Sequence, residues 1–171
     1  MKRHCDFLNI PLTNIGGAAG AFTFELSDLP AYTELTALYD QYRIDGVVLT
    51  FYPRQTSVTN NTLFDQVKGE AKLFTCIDYN DLNPPATADE VRQYESCKVT
   101  SLIKEHTVYV KKPLFVNSSG QNTWDFVSTA NPSTRWYGCK YYAEPPGMTS
   151  ATAQFIYSVE AVFYLSFKNI K

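Results

Sequence analysis

Two histidines in 171 residues, no close cysteine pair and no glycine-rich nucleotide loop leave most enzyme chemistries without their working parts. Nucleophilic catalysis needs a base beside a Ser or Cys. His4 stands at a frayed start and His106 in a candidate strand, so both read as structural. A metal-dependent barrel enzyme needs two or three histidines and a carboxylate converging on one point, and two distant histidines cannot supply that set. Cys5, Cys76, Cys97 and Cys139 lie far apart with no C-x-x-C spacing, which argues against zinc and for small, reduced core residues. No P-loop, G-x-G-x-x-G or G-x-S-x-G motif occurs. The expectation is a protein that is not an enzyme and carries no cofactor.

Charge is scarce as well: 19% of residues are charged, against about 25% in ordinary domains. Fifteen basic against 17 acidic side chains give a net charge of −2, so the whole chain exerts no electrostatic pull on nucleic acid. Met1 to Ile10 lacks the apolar stretch of a secretory leader, and no run of about 18 apolar residues is present to cross a membrane. The sequons at Asn60 and Asn117 would be used only in a secretory setting.

What the chain has instead is aromatic residues, 15% of the total with 12 Tyr and 11 Phe, which favour both strands and subunit contacts. A single domain of this length buries roughly 70% of the surface of its unfolded chain, so no disulfide is needed. Periodicity of two dominates. Candidate strands are Arg3 to Ile10, Phe22 to Leu26, Ala71 to Asp78, Val99 to Ile103, His106 to Val110, Thr123 to Val127 and Trp136 to Ala143. Leu73, Thr75 and Ile77 lie on one face of the third of these and Phe74 and Cys76 on the other, a pattern that predicts burial on both sides. In the last strand Phe155, Tyr157, Val159, Ala161, Phe163, Leu165 and Phe167 recur at every second position, which fixes its register. Thr87 to Glu90 has the spacing of a capping box, opening a short helix with Val91, Tyr94 and Cys97 on one stripe. Polar loops are expected at Gly16 to Gly20, Gln55 to Thr62 and Asn117 to Asn122, the last two facing outward.

The most informative stretch runs from Leu38 to Pro53. Leu35, Leu38, Tyr39 and Tyr42 fall at i, i+3, i+4 and i+7, predicting a short helix that starts after Ser27, Asp28 and Pro30. From Val47 the period becomes two, with Val47, Leu49 and Phe51 on one face, Gly46 at the handover and Pro53 as the end of the strand. The sequence Leu38-Tyr39-Asp40-Gln41-Tyr42-Arg43-Ile44, two further residues, then Val47-x-Leu49-x-Phe51-x-Pro53 resembles the helix-to-strand segment of capsid proteins from circovirus-like, circular Rep-encoding single-stranded DNA viruses.

That resemblance implies a single eight-stranded antiparallel jelly roll over residues 1–171, with two short helices in its loops. Periodicity alone leaves an immunoglobulin-like sandwich equally open. It further implies a coat protein that assembles with itself into a small T=1 icosahedral shell around a circular single-stranded DNA genome, in the virion and in the host nucleus or cytoplasm during assembly. No membrane partner is expected. Tyr39, Tyr42, Arg43, Ile44, Val47, Leu49, Phe51 and Pro53 would be fold residues. The family begins with a long Arg-rich arm, whereas only Lys2 and Arg3 stand at the start here, so a shell domain with its arm removed is expected. Because the resemblance places the amino terminus inside the shell, Lys2 and Arg3 are candidates for contact with nucleic acid. Lys111 and Lys112 are candidates as a basic pair that could meet phosphates, as Lys140 could. Gly46 and Val48 stand where the family often has a basic residue. Trp136, Tyr137, Tyr141 and Tyr142 could stack on bases, although aromatics at strand spacing are usually core. Asp78, Asn80 and Asp81 suit either a calcium site or a turn, and the turn is preferred. Two other readings remain: a tombus-like RNA virus shell domain, and a carbohydrate-binding sandwich with Trp124, Trp136 and the tyrosines from 137 to 142 as its platform.

Overall fold

The computed structural model describes residues 1–12, 17–55, 71–146 and 155–170. Loop positions 56–62 and the sequon at Asn60 lie outside them. Eleven strands form among the described residues: β1 Lys2–Leu12, β2 Ala18–Phe24, β3 Tyr39–Gln55, β4 Lys72–Cys76, β5 Lys98–Ser101, β6 His106–Lys111, β7 Leu114–Val116, β8 Asn122–Thr123, β9 Val127–Ser128, β10 Trp136–Ala143 and β11 Phe155–Ile170. Of these, β7, β8 and β9 are three residues or shorter. Helix α1 spans Tyr32–Leu38 and α2 spans Ala88–Arg92.

All pairings are antiparallel. The first sheet has the order β1-β11-β3-β6, with β9 also on β3; the second runs β5-β4-β10-β7-β8, with β2 on the other flank of β10. Apart from the β4–β5 hairpin, successive long strands alternate between the two sheets, as in a jelly roll, and their inward faces close one continuous core. Aromatic rings fill its centre. Phe22 meets Phe51 edge-on at 5.8 Å, Phe24 meets Phe163 at 6.0 Å and Phe51 meets Tyr157 at 6.1 Å. Tyr157, Val159, Ala161, Phe163 and Leu165 are all buried, as the alternation in β11 predicts.

The stretch from Leu38 to Pro53 departs from its helical reading. Helix α1 stops at Leu38, which is 55% exposed, and Tyr39 already belongs to β3. Tyr39 and Tyr42 pair with Ile170 and Phe167 of β11, and Tyr42 also pairs with Val127 of β9. Long-range pairing thus outweighs a local helical spacing only two turns long. The change of period is a β-bulge: Tyr164 faces Gly46 and Leu165 faces Ile44, so Asp45 is the extra residue. Tyr42 and Ile44 point inward before the bulge, and Val47, Leu49 and Phe51 after it. Pro53 does not end the strand. It pairs with Tyr157 beyond the last partner in β6, where no ladder on that flank needs its missing N–H.

Smaller differences have local causes. Ala18 to Gly20, expected as loop, pair with Ala143 to Tyr141, and a Cβ at Gly20 would come within 2.6 Å of the Tyr141 ring. The strand expected from Thr123 to Val127 is split, because the chain crosses here from the second sheet, where Thr123 pairs with Phe115, to the first, where Val127 pairs with Tyr42. His4 is not frayed but paired with Val162. As anticipated, β4 is covered on both faces: Leu73 and Thr75 look into the main core, while Phe74 and Cys76 pack against Val91 of α2. The Thr87 hydroxyl caps α2 by accepting the Glu90 N–H at 3.2 Å, and Glu90 reaches back to the N–H of Ala86 at 2.8 Å.

Candidate nucleic-acid interface

Because side chains alternate along each strand, the outward residues of β1, β11, β3 and β6 fall into rows across the first sheet. One row reads Lys2, Tyr164, Gly46, Lys111; the next reads His4, Val162, Val48, Tyr109; the third reads Asp6, Glu160, Thr50, Thr107. The face is therefore basic at one end, aromatic and apolar in the middle, and acidic to polar at the other. Lys2 and Lys111, 109 positions apart in sequence, end the same row, with three strand spacings of ~4.8 Å setting them roughly 14 Å apart. Arg3 is the exception among the candidates. It pairs with buried Phe163 and so belongs to the opposite side of β1.

Beyond the first row, cations and rings alternate. The Lys112 ammonium lies 4.4 Å from the Trp124 ring centre, the Arg43 guanidinium 3.8 Å from the same ring and 4.6 Å from that of Phe126, and the Lys168 ammonium 3.9 Å from Phe126. Such contacts are worth ~0.5–2 kcal/mol each. The Trp124 indole N–H donates to the Ile44 carbonyl at 3.0 Å, holding the ring in place. Asp45, the bulge residue, organises the rest: its carboxylate pairs with Arg43 at 2.9 Å and accepts from the Ser166 hydroxyl, while its carbonyl accepts the Lys112 N–H at 3.0 Å. Lys112 itself sits at φ 53, the left-handed region. Among the described residues no carboxylate pairs with Lys2, Lys111, Lys112 or Lys168. Local positive charge thus survives on a chain whose net charge is −2.

Other candidates lie elsewhere. Lys140 is only 5% exposed, and its ammonium sits 2.7 Å from both Asp78 Oδ2 and Asp81 Oδ1. Burial opposes its charge, but the two carboxylates outweigh that and hold its pKa above the ordinary lysine value. It cannot serve phosphate. The same pair answers the calcium question: Asp78 and Asp81 hold a lysine, and they shape a turn by accepting the N–H groups of Asn80 and Asn83. The Tyr94 hydroxyl also donates to Asp78, and that bond, with burial, pushes its pKa up to about 12. Trp136 is wholly buried and Tyr141 nearly so, which removes them as stacking rings for bases or sugars. Trp124 is covered by two cations. Tyr142 packs against Phe74 on the far side of β4 and Tyr137 is half-buried, so the rings of the sugar-binding platform are not gathered on one open surface. The four cysteines are free, three of them buried.

The sequence reading passed over Tyr109, Tyr164, Phe126 and Lys168, and gave Trp124 only to a sugar platform. Alternation in β6 and β11 carries the signal for the two tyrosines, since each stands between two inward residues. Nothing local announces the alternating cations and rings, which join residues from four separate parts of the chain.

Comparison with known proteins follows the same line. The family model for the circovirus capsid protein matches residues 9–171. No curated protein matches the chain. Among solved structures, the crystal structure of the 60-mer BFDV capsid protein is similar with a TM-score of 0.66 and 15% identity, over 98% of this chain and 91% of that one. The decameric BFDV capsid protein gives 0.64 and 14%, over 98% and 96%. The mud crab tombus-like virus structure gives 0.51 and 14%, over 100% of this chain and 82% of the other. At these identities the solved structures speak to fold.

Proposed function

The chain belongs to the circovirus capsid protein family, and from that membership we propose that it assembles with itself into a T=1 shell enclosing a circular single-stranded DNA genome. As a capsid protein it is a structural part of the virion and not an enzyme. In this reading residues 1–171 act as one shell domain, assembly takes place in the host nucleus or cytoplasm, and the outer face of the first sheet looks inward on the genome. Lys2, Lys111 and Lys112 are its phosphate contacts, joined by Lys168. Tyr39, Tyr42, Arg43, Ile44, Val47, Leu49, Phe51 and Pro53 hold the strand that carries this face. Arg3 stands apart from it.

The observation that carries the proposal is the set of cations without carboxylate partners at one end of the face. A chain with net charge −2 gains nothing from binding DNA uniformly, so attraction has to be local. Negative-stain electron microscopy of the purified protein, with absorbance at 260 and 280 nm on the same sample, tests the reading. Uniform small closed particles with a raised ratio are expected. Monomers under all salt and pH conditions would overturn the assembly, and closed particles free of nucleic acid after expression would overturn the enclosure.

A further inference from the structure

We propose that the same face is a base-stacking surface for single-stranded DNA, with Tyr109 and Tyr164 as its two rings. The inference rests on the genome-enclosing reading and adds to it that the sheet holds bases as well as phosphates.

Four observations converge. First, Tyr109 on the edge strand β6 and Tyr164 on the inner strand β11 are 48% and 37% exposed, in a sheet whose inward tyrosines, Tyr42 and Tyr157, are wholly buried. Both keep a large aromatic side chain partly in water where an aliphatic or polar residue would serve a plain solvent face. Second, the Tyr109 ring lies down across Gly46: a Cβ there would come within 2.6 Å of its hydroxyl, 2.7 Å of Cε2 and 3.0 Å of Cζ. A ring lying against backbone on one side offers its other side outward. The residue at position 46 is what permits this, since any side chain would lift the ring. Third, Tyr164 meets Tyr109 edge to face, with centroids 6.3 Å apart and planes at 79°, so the pair holds a fixed geometry before any ligand arrives. Fourth, Lys2 and Lys111 end the row that holds Tyr164, and Val162 and Val48 share the adjacent row with Tyr109.

Aromatic rings between lysines suit a strand whose bases are unpaired and whose phosphates are evenly spaced. A duplex keeps its base faces stacked inside and can use only the lysines. A sugar polymer would use the rings and ignore the cations. A second copy of this chain would bring its own unpaired lysines and Arg43 against these, which like charges oppose.

The test is fluorescence anisotropy of the purified chain with a fluorescein-labelled oligothymidylate, an abasic strand and a duplex of equal length, across a salt series. The double variant Y109L/Y164L keeps apolar bulk over Gly46 but has no ring. It is expected to bind the thymidylate ~5- to 100-fold more weakly, with an unchanged salt slope and with affinity equal to that of wild type for the abasic strand. Y109F/Y164F should bind as wild type does. K111Q should instead lower the salt slope by roughly 0.7. If wild type binds no single strand, the enclosing reading itself fails. If wild type binds but the leucine variant or the abasic strand binds equally well, stacking is wrong and phosphate contact alone stands. Sedimentation of each variant closes the remaining route: a changed assembly state with unchanged DNA affinity would make this face a contact between copies, overturning the inference.

Discussion

Acidification should weaken the fold through one residue, His106. Its ring bridges the two sheets: Nε2 lies 2.7 Å from the Thr75 hydroxyl of β4 and Nδ1 lies 2.7 Å from the Thr100 hydroxyl of β5, while His106 itself begins β6 of the other sheet. Only 3% of the residue is exposed. A neutral imidazole offers one donor and one acceptor, and two hydroxyls can satisfy both. Protonation makes both nitrogens donors and places a charge where water cannot reach. Burial, helped by the nearby Lys98 charge, lowers the pKa from 6.5 to about 4. Since the unfolded chain takes up this proton first, the stability from neutral His106 is complete above about pH 6.5, declines as pH falls toward about 4 and changes no further below it. About 2.5 pKa units at ~1.4 kcal/mol each set the loss at roughly 3 kcal/mol. The Asp78 carboxyl, held below its ordinary value of 3.8 chiefly by Lys140 against the cost of burial, gives up its contribution only below that value, so the two windows do not overlap. Urea unfolding between about pH 7 and pH 4.5 measures the effect, with His106→Gln as control. The variant should lose most of the slope of stability against pH across that window. Equal slopes for wild type and variant would refute the assignment.

Two further substitutions probe the scaffold. Lys140→Met strips the buried Asp78 of its cation, leaving the Asn80 N–H and Tyr94 hydroxyl, and should destabilise by ~3–5 kcal/mol, with much of the loss recovered in Lys140→Met/Asp78→Asn, as read by denaturant midpoints. Gly138→Ala would bring a Cβ within 2.4 Å of Val110 Cγ1 in the packed core and should cost ~1–3 kcal/mol in chemical denaturation, partly relieved by Val110→Ala.

Strands were legible wherever one face is buried and the other is not. In β11 the inward set at every second position needs no partner to be recognised, and in β4 the doubly apolar pattern correctly announces a second covering layer, which α2 supplies through Val91. The helical reading of Tyr39 and Tyr42 failed for a reason of the same kind. A four-residue recurrence in a short segment is compatible with either structure, and the decision came from β11, more than a hundred positions away. Small residues misled in the other direction, because Ala18 to Gly20 look like a loop until Tyr141 is seen to need the space above Gly20.

The face of the first sheet was harder to read because a single backbone irregularity decides what it contains. Were β3 regular, the parity that buries Val47, Leu49 and Phe51 would also point Arg43 into the core and Tyr42 and Ile44 into water, since a shift of one residue exchanges the two faces. The extra residue at Asp45 reverses the parity, so Tyr42 and Ile44 stay buried and Arg43 emerges beside Trp124 and Phe126. Asp45 then uses its half-buried position to bind Arg43, Ser166 and the backbone of Lys112. Bulge and basic patch are thus one feature, and the Asp45-Gly46 dipeptide serves both halves of it. Asp45 gathers the cations on one side, and Gly46 leaves room for the Tyr109 ring on the other. A reading that leaves Asp45 unassigned and gives Gly46 only the handover of period passes over what the whole face depends on.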